Sequence, residues 1–189
     1  LVWDINYFMI QSWLQLNKPI LIQAPMADLT CPVYRQLIVK YGKPDLMFTE
    51  FVACDGLCSP GRENLLPILR YQSTEQPIIA QLFGARAENF TKSAQLVSKL
   101  GFAGIDINMG CPDKTILKQG AGSNLITKPE LAQKIIQSTK DGAGNLPVSV
   151  KTRIGFNDNI IESWINTLLE TNPVAITVHG RSKKEMYTG

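Results

Sequence analysis

The stretch FAGIDINMGCPDKTILKQGAG, residues 102–122, shows the pattern that predicts the fold of this chain. It begins with a nearly continuous apolar run, which is typical of a parallel β-strand covered on both faces. The side chain of Asn108 and the thiol of Cys111 come where that run ends, and a glycine-rich bend follows them. This order predicts that chemically active groups lie at the carboxyl end of a buried strand.

Similar runs recur along the chain and alternate with amphipathic helical stripes, such as that of Phe90, Ala94 and Val97. The alternation predicts either an open doubly wound sheet or a (β/α)8 barrel, and both carry function at the carboxyl ends of their strands. The predicted strands are PILIQAPM (19–26), DLMFTEF (45–51), PIIAQLF (77–83), FAGIDINM (102–109), PVSVKTRIG (147–155) and PVAITVHG (173–180).

Glycines mark the predicted bends between these elements. Gly42, Gly101 and Gly142 follow helical patterns, where a left-handed residue often ends a helix. Gly120 and Gly122 are expected to let the backbone turn tightly beside Cys111. The segment between the second and third predicted strands is expected to be a long loop with at most a short helix.

The composition indicates one globular domain. The chain has 189 residues, of which 44% are hydrophobic, and this is enough for a sizeable core. Its net charge of +3 is too mild to argue for nucleic-acid binding by itself. The apolar stretch 1–18 lacks a basic leader and falls short of a membrane span, so we expect no export signal and no membrane contact.

The cysteines argue against a disulfide framework and against a metal site. Cys31, Cys54, Cys58 and Cys111 are too few and too spread for such a framework in a chain that can bury a core. Cys54 and Cys58 lie close together, but the only histidine, His179, leaves a zinc site short of ligands. We therefore expect free thiols, no metal and a location in the reducing cytoplasm.

Polar or distinctive residues follow the end of each predicted strand. In a parallel sheet those ends share one rim, so we expect the residues to surround a single pocket. Each of them alone could merely cap its strand, but the whole set favours a functional site. The residues are Pro25, Met26, Glu50, Gln81, Asn108, Cys111, Lys151, Arg153 and His179.

Cys111 is the candidate for chemistry at this rim. An isolated cysteine is usually a small buried hydrophobe, but Gly110 and Pro112 bracket this one and would expose it on a rigid turn. A free thiol has a pKa of about 8.5, so near neutral pH it is mostly protonated and can donate a proton. A nucleophile paired with His179 is the alternative; the histidine lies two strands away along the rim, which favours the acid.

Lys151 lies inside a predicted strand, where a solvated charge is not expected, and so it needs an anionic or carbonyl partner. A reduced flavin carries negative charge along its pyrimidine edge, which a buried lysine would stabilise. The alternative is a structural ion pair, for example with Glu50.

Seven segments together resemble the tRNA-dihydrouridine synthases, which are FMN-dependent (β/α)8 enzymes with a C-terminal helical domain. The resemblance runs from Ile20 to Gly189. The segments, in the family's order, are APMADLTCPVYR (24–35), FTEFVACDGL (48–57), IIAQLFGA (78–85), GIDINMGCP (104–112), KQGAGSNLI (118–126), VSVKTRIG (148–155) and ITVHGRSKKEMYTG (176–189).

The resemblance implies a role for each candidate residue. Cys111 matches the family's proton donor, which protonates uracil C5 while a hydride passes from the flavin to C6. NADPH is the implied reductant, and tRNA is the implied substrate. Asn108 and Arg153 would contact the substrate. The implied flavin-binding residues are Pro25, Met26, Gln81, Lys151 and His179.

The resemblance also sets the expected domains and shows departures from the family's pattern. Residues 1–19 would be an N-terminal extension, and 20–189 the N-terminal part of a TIM barrel with about its first six β/α units. The helical tRNA-binding domain has no counterpart in this chain, which we therefore expect to be truncated. The family's first motif reads A-P-M-A-G-x-T-D, whereas Asp28 replaces the glycine and Cys31 the final aspartate.

Two alternatives remain beside a tRNA-dihydrouridine synthase. One is another FMN-dependent barrel, similar to dihydroorotate or dihydropyrimidine dehydrogenases, which would act on free pyrimidines without tRNA. The other is a non-catalytic RNA-binding partial barrel. Its phosphate contacts would come from basic residues near the rim, namely Lys114, Lys118, Arg181, Lys183 and Lys184.

Overall fold

The computed structural model describes residues 19–186 and 188 of the chain, and the predicted extension 1–19 lies almost wholly outside these residues. Within them, five strands form one parallel sheet in the order β1-β2-β3-β4-β5. The strands are β1 (Met47–Ala53), β2 (Ile78–Phe83), β3 (Gly104–Met109), β4 (Val148–Arg153) and β5 (Ile176–His179).

Helices separate most of the strands. The segment between β1 and β2 holds one four-residue helix and short 3-10 turns, so the prediction of a long loop with at most a short helix is confirmed. No helix in the described part of the chain is long and apolar enough to cross a membrane. The helices are α1 (Pro32–Gly42), α2 (Cys54–Leu57), α3 (Ala87–Lys99), α4 (Lys114–Lys118), α5 (Pro129–Ala143) and α6 (Ile161–Leu169).

The strand order decides between the two predicted architectures. A doubly wound sheet reverses its strand order at a switch point, whereas a barrel wall adds each strand next to the one before it. The five strands follow one another in chain order and all pair in parallel. The described residues therefore form part of the wall of a (β/α)8 barrel.

The first predicted strand, at 19–26, is reduced to one isolated parallel bridge between Ile22 and Leu46. The backbone N–H of Gln23 donates to the carbonyl oxygen of Leu46 at 3.1 Å, which places this segment beside β1. Pairing does not continue because Pro25 has no N–H to donate and the chain turns from residue 27 onward. The sheet thus has five strands in place of the six expected.

The two faces of the sheet differ in chemistry. Ile105 and Ile107 of β3 lie in the main apolar cluster, together with Phe90 of α3 and Ile135 of α5. Because side chains alternate along a strand, the residues between them face the opposite side. That second face carries buried polar groups: Gln81, Asp106, Asn108 and Ser149.

The glycines have more varied roles than predicted. Gly101 has φ +79° after α3, as expected, but Gly42 remains within α1. Gly142 is buried inside α5, where a Cβ atom would lie 2.2 Å from the carbonyl oxygen of Thr91 in α3. It therefore permits close packing of two helices, and Gly144, with φ +63°, ends α5.

Candidate active site

A cavity of about 790 Å³ opens at the carboxyl ends of the strands. Its apolar wall includes Phe51 and Phe83, whose rings meet edge to face with centroids 5.3 Å apart. Residues from widely separated parts of the chain converge here because parallel strands end on one rim. Seven of the predicted site residues line this cavity: Pro25, Met26, Asn108, Cys111, Lys151, Arg153 and His179.

Two rim residues of the sequence analysis do not line the cavity. Gln81 is fully buried beneath Asn108, and its amide is hydrogen-bonded to Asp106 and Asn108. Glu50 accepts a hydrogen bond from the backbone N–H of Asp28 at 2.7 Å. The flavin contact assigned to Gln81 stays a prediction, and the structure places that residue below the cavity wall.

The turn that carries Cys111 is held by hydrogen bonds on both sides. Asn108 Oδ1 accepts from the backbone N–H of Gly110 at 3.1 Å and of Cys111 at 2.9 Å. The carbonyl oxygen of Cys111 accepts from the backbone N–H and the hydroxyl of Ser123, both at 3.0 Å. The prediction of a rigid turn is thus supported by specific contacts.

Gly122 makes this arrangement possible. It has φ +61°, and a Cβ atom there would lie 2.7 Å from the carbonyl oxygen of Cys111. Gly120, with φ +77°, precedes it in the same bend. The predicted tight turn beside Cys111 is confirmed, because glycine alone adopts such φ values without steric cost.

The Cys111 thiol sits in a partly apolar environment. It packs against the cluster formed by Phe83, Ile116 and Ala121. Burial raises the pKa of Cys111, while a backbone hydrogen bond from Asp113 opposes that shift. A raised pKa keeps the thiol protonated at neutral pH, which suits an acid better than a nucleophile.

A buried carboxylate lies below the cavity floor. Asp106 is fully buried and accepts hydrogen bonds from Ser149 Oγ and from Gln81 Nε2, both at 2.6 Å. Burial raises its pKa to about 6, and these two hydrogen bonds and the charge of Lys151 oppose the shift. The carboxyl group is therefore mostly ionised at neutral pH.

Lys151 presents an amine to the cavity. No ion pair or hydrogen bond joins this side-chain amine to Glu50 or to any other residue among those described. Burial lowers its pKa, and the nearby charge of Asp106 opposes that shift. The structural Lys–Glu pair considered above is absent here, and the amine is available to a ligand.

Arg153 adds a second cation to the cavity beside Lys151, and His179 lines the cavity with them. Arg153 is nearly buried and donates to the carbonyl oxygens of Gly110 at 2.7 Å and Ser182 at 3.1 Å, so it braces two rim loops. Burial lowers the pKa of His179, and the charges of Arg153, Lys151 and Arg181 lower it further. The imidazole is thus mostly neutral at neutral pH.

Of the two departures from the family's first motif, Asp28 lines this cavity, whereas Cys31 is not among the lining residues. Asp28 has φ +59°, a left-handed conformation that explains why the motif carries glycine at this position. Cys31 precedes α1 and makes no side-chain cap of that helix. Arg35, the last residue of the segment APMADLTCPVYR, is fully buried and paired with Glu75.

Cysteine and metal chemistry elsewhere is limited. All four cysteines are free. Burial strongly raises the pKa of Cys54, so its thiol stays protonated. Across residues 19–186 and 188, no group of three or more His, Cys, Asp or Glu side chains is arranged to hold a metal ion.

Three contributors to the site were missed by sequence reasoning. In the sequence, Asp106 lies within one predicted strand, Phe83 is the apolar last residue of another, and Ser123 follows the glycine-rich bend. The alternation along β3 could have indicated Asp106, because it shares a strand face with Asn108. Nothing local to Ser123 indicates its contact with Cys111, which lies twelve residues away.

The parallel wall and the cavity at its carboxyl rim define a protein of the (β/α)8-barrel class. Residues 22–189 match the family model described as dihydrouridine synthase. The chain belongs to the dihydrouridine synthase family.

Curated bacterial proteins show the same similarity. The probable tRNA-dihydrouridine synthase 2 of Bacillus subtilis (strain 168) is 40% identical over 176 residues, which cover 92% of this chain and 54% of that protein. Probable tRNA-dihydrouridine synthases of Staphylococcus aureus (strain COL) and Staphylococcus epidermidis are each 40% identical over 176 residues, or 92% of this chain and 53% of theirs. The chain spans about half the length of these curated relatives.

Proposed function

We propose that this chain supplies the catalytic and flavin-binding wall of a tRNA-dihydrouridine synthase, which reduces the C5–C6 double bond of uridine in tRNA. The observation that carries the proposal is the position of Cys111. Its thiol lines the same cavity as Asn108 and the amine of Lys151. The names of the relatives in Bacillus and Staphylococcus support tRNA as the substrate.

The cavity has the features that an FMN ring needs. Pro25, Met26 and Phe83 offer apolar surface, and the Lys151 amine is available to an electron-rich ring edge. His179 would hold the ring from the end of β5, and Gln81 would act from below. FMN bound here would supply the hydride, with NADPH as the proposed reductant.

Asn108 and Cys111 would act on the uracil. Asn108 Oδ1 already accepts two backbone hydrogen bonds, so Asn108 can offer the base only an N–H of Nδ2, suited to a carbonyl oxygen. The Cys111 thiol would donate its proton to C5 as the hydride reaches C6, and the thiolate would regain a proton from solvent. The raised pKa of Cys111 keeps that proton in place before the reaction.

The charge of the rim suits a polyanionic substrate. Lys151, Arg153 and Arg181 surround His179, and all three lower its pKa. Positive charge of this kind attracts phosphate groups and speeds the encounter with nucleic acid. Arg153 would therefore orient the substrate while bracing the Cys111 turn.

The free cysteines suit a reducing compartment, and we propose the cytoplasm.

The decisive experiment compares Cys111→Ala with Cys58→Ala in the natural gene product, assayed with unmodified tRNA transcript, FMN and NADPH. Dihydrouridine is counted by mass spectrometry of the digested tRNA. We expect Cys111→Ala to lower product formation by at least about a hundredfold, since general acids contribute on that scale. Cys58→Ala is the matched control, because Cys58 is exposed and lines a different cavity.

Three other outcomes would contradict parts of this proposal. Unchanged dihydrouridine in Cys111→Ala would contradict the proton-donor role. Turnover of free pyrimidines by the wild type, without any action on tRNA, would favour a dihydroorotate or dihydropyrimidine dehydrogenase. Binding of tRNA with no bound flavin and no reduction would favour a non-catalytic RNA-binding protein.

A further inference from the structure

Hydrogen bonds join the side chains of Asp106, Gln81 and Asn108 in a line that leads from the buried carboxylate to the Cys111 turn. Gln81 Nε2 donates to Asp106 Oδ2 at 2.6 Å, and Asn108 Nδ2 donates to Gln81 Oε1 at 3.0 Å. Asn108 Oδ1 then accepts from the backbone N–H groups of Gly110 and Cys111. The line thus runs without a break from the core of the sheet to the residue proposed as proton donor.

The two ends of this line have fixed polarity. An ionised carboxylate can only accept hydrogen bonds, and a backbone N–H can only donate one. The amides of Gln81 and Asn108 lie between these ends, and each can be turned so that its oxygen and nitrogen exchange places. Only one combination gives every contact a donor and an acceptor, and it is the combination that the structure shows.

We infer that Asp106 is a positioning residue: its carboxylate orients the side-chain amides of Gln81 and Asn108 and thereby holds the Cys111 turn in its shape. Asp106 does not line the cavity, so it acts through these neighbours. The inference deepens the proposed function and rests on it for the catalytic consequence. The effect on the turn itself does not depend on which substrate the protein reduces.

The burial of the line makes the carboxylate difficult to replace. Asp106 and Gln81 are fully buried, and Asn108 is only 7% exposed, so solvent cannot readily supply a missing donor or acceptor. The register of the sheet brings the partners together, because Gln81 pairs with Asp106 across β2 and β3, and Asp106 with Ser149 across β3 and β4. Ser149 donates to the other carboxylate oxygen, Oδ1, and lies outside the line.

The key variant is Asp106→Asn, which keeps the size of the side chain but removes the acceptor-only end. If its nitrogen faces Gln81, both amides reverse and Asn108 presents Nδ2 to the two backbone N–H groups. If its oxygen faces Gln81, its nitrogen meets Ser149 Oγ, whose proton then loses its acceptor. Both arrangements leave a buried donor without an acceptor, and the first one disturbs the Cys111 turn, so the turn is disturbed in the fraction of molecules that adopts it.

A second change restores the polarity. In Asp106→Asn/Gln81→Glu, the new amide nitrogen donates to the new carboxylate, and its oxygen accepts from Ser149. The carboxylate at position 81 accepts from Asn108 Nδ2, so Asn108 keeps its orientation. A purely steric role of Asp106 would give no such rescue.

The experiment measures the turn directly in the natural gene product. The readouts are hydrogen exchange of the peptide containing Gly110 and Cys111 and the alkylation rate of Cys111 by iodoacetamide, identified by peptide mass. We expect both to rise about tenfold in Asp106→Asn, on the scale of two lost hydrogen bonds. They should return to within about twofold of wild type in the double variant. Ser149→Ala, which leaves the line intact, is the control and should stay near wild type.

Other outcomes overturn the inference. It fails if Asp106→Asn leaves both rates unchanged, or if the double variant is no slower than the single variant. Should Asp106→Asn not fold, recovery of folding in the double variant supports the inference, and failure of the double variant to recover contradicts it.

Activity separates this inference from the proposed function. We expect Asp106→Asn to lower kcat for dihydrouridine formation with little change in KM for tRNA. A wild-type protein that forms no dihydrouridine defeats the proposed function, while the exchange and alkylation results still decide the role of Asp106.

Discussion

Asn108 Oδ1 lies 2.9 Å from the backbone nitrogen of Cys111 and accepts its hydrogen bond. The residue assigned to the uracil therefore also shapes the turn that carries the proposed acid. This dual use explains why an asparagine, with one acceptor end and one donor end, suits the position. Its oxygen serves the protein backbone, and its nitrogen serves Gln81 and the cavity.

We predict that Gly122→Ala destabilises the protein more than Gly120→Ala does. Both glycines have positive φ values, +61° and +77°, so both variants bear a backbone cost of about 1 kcal/mol. A Cβ atom at position 122 would also lie 2.7 Å from the carbonyl oxygen of Cys111, whereas at position 120 the nearest atom is the end of the flexible Lys128 side chain at 3.4 Å. We expect Gly122→Ala to lower the free energy of unfolding in urea at least about twice as much. Equal losses of unfolding free energy would show that the turn accommodates a Cβ atom at position 122 at little cost.

We predict that Cys111 reacts as a thiol with a raised pKa. Its alkylation rate by iodoacetamide should reach half of its plateau at a higher pH than that of glutathione measured alongside, because burial disfavours the thiolate. Peptide mass assigns the reaction to Cys111, and Cys111→Ser should abolish that signal. A midpoint below that of glutathione would instead indicate an activated nucleophile.

We predict that the stability cost of Asp106 depends on pH. Its pKa rises from 3.8 to about 6 on folding, so the folded protein keeps a proton that the unfolded chain has already lost. Stability relative to Asp106→Asn is therefore highest below pH 4 and falls as the pH rises through 6, by about 3 kcal/mol in all. Urea unfolding of both proteins at several pH values measures this difference. A difference independent of pH would contradict the raised pKa.

We predict that Lys151→Met weakens FMN binding by at least about tenfold, because the variant removes the amine that faces the cavity. Titration of the apoprotein, followed by flavin fluorescence, measures the affinity. Lys134→Met is the matched control, since Lys134 is exposed on α5. Equal affinities in the two variants would show that Lys151 has no part in holding the flavin.

Much of the architecture could be predicted from local pattern. Five of the six predicted strands pair in one parallel sheet. Each of the five has an apolar run long enough to predict a buried strand from its own residues. The segment 19–26 looks similar as sequence, but it pairs only at Ile22. Gly142 was also misassigned, since a helix-ending glycine and a glycine that lets two helices touch look alike until the partner helix is in place.

The sequence predicted which residues form the site better than it predicted the contacts between them. Seven candidates line one cavity, as the rim argument requires, whereas Gln81 lies beneath them. The partners of Cys111 could not be predicted in the same way, because the contact with Ser123 depends on the path of the bend between them.

The order of apolar runs, glycines and polar strand ends already determines a parallel sheet with a functional rim, since these follow from periodicity and from the parallel direction of the strands. The tertiary structure alone decides the strand order, the cavity and the line from Asp106 to Cys111. The reason is physical: a hydrogen bond and a pKa depend on distance and burial across neighbouring strands, and strand register sets both.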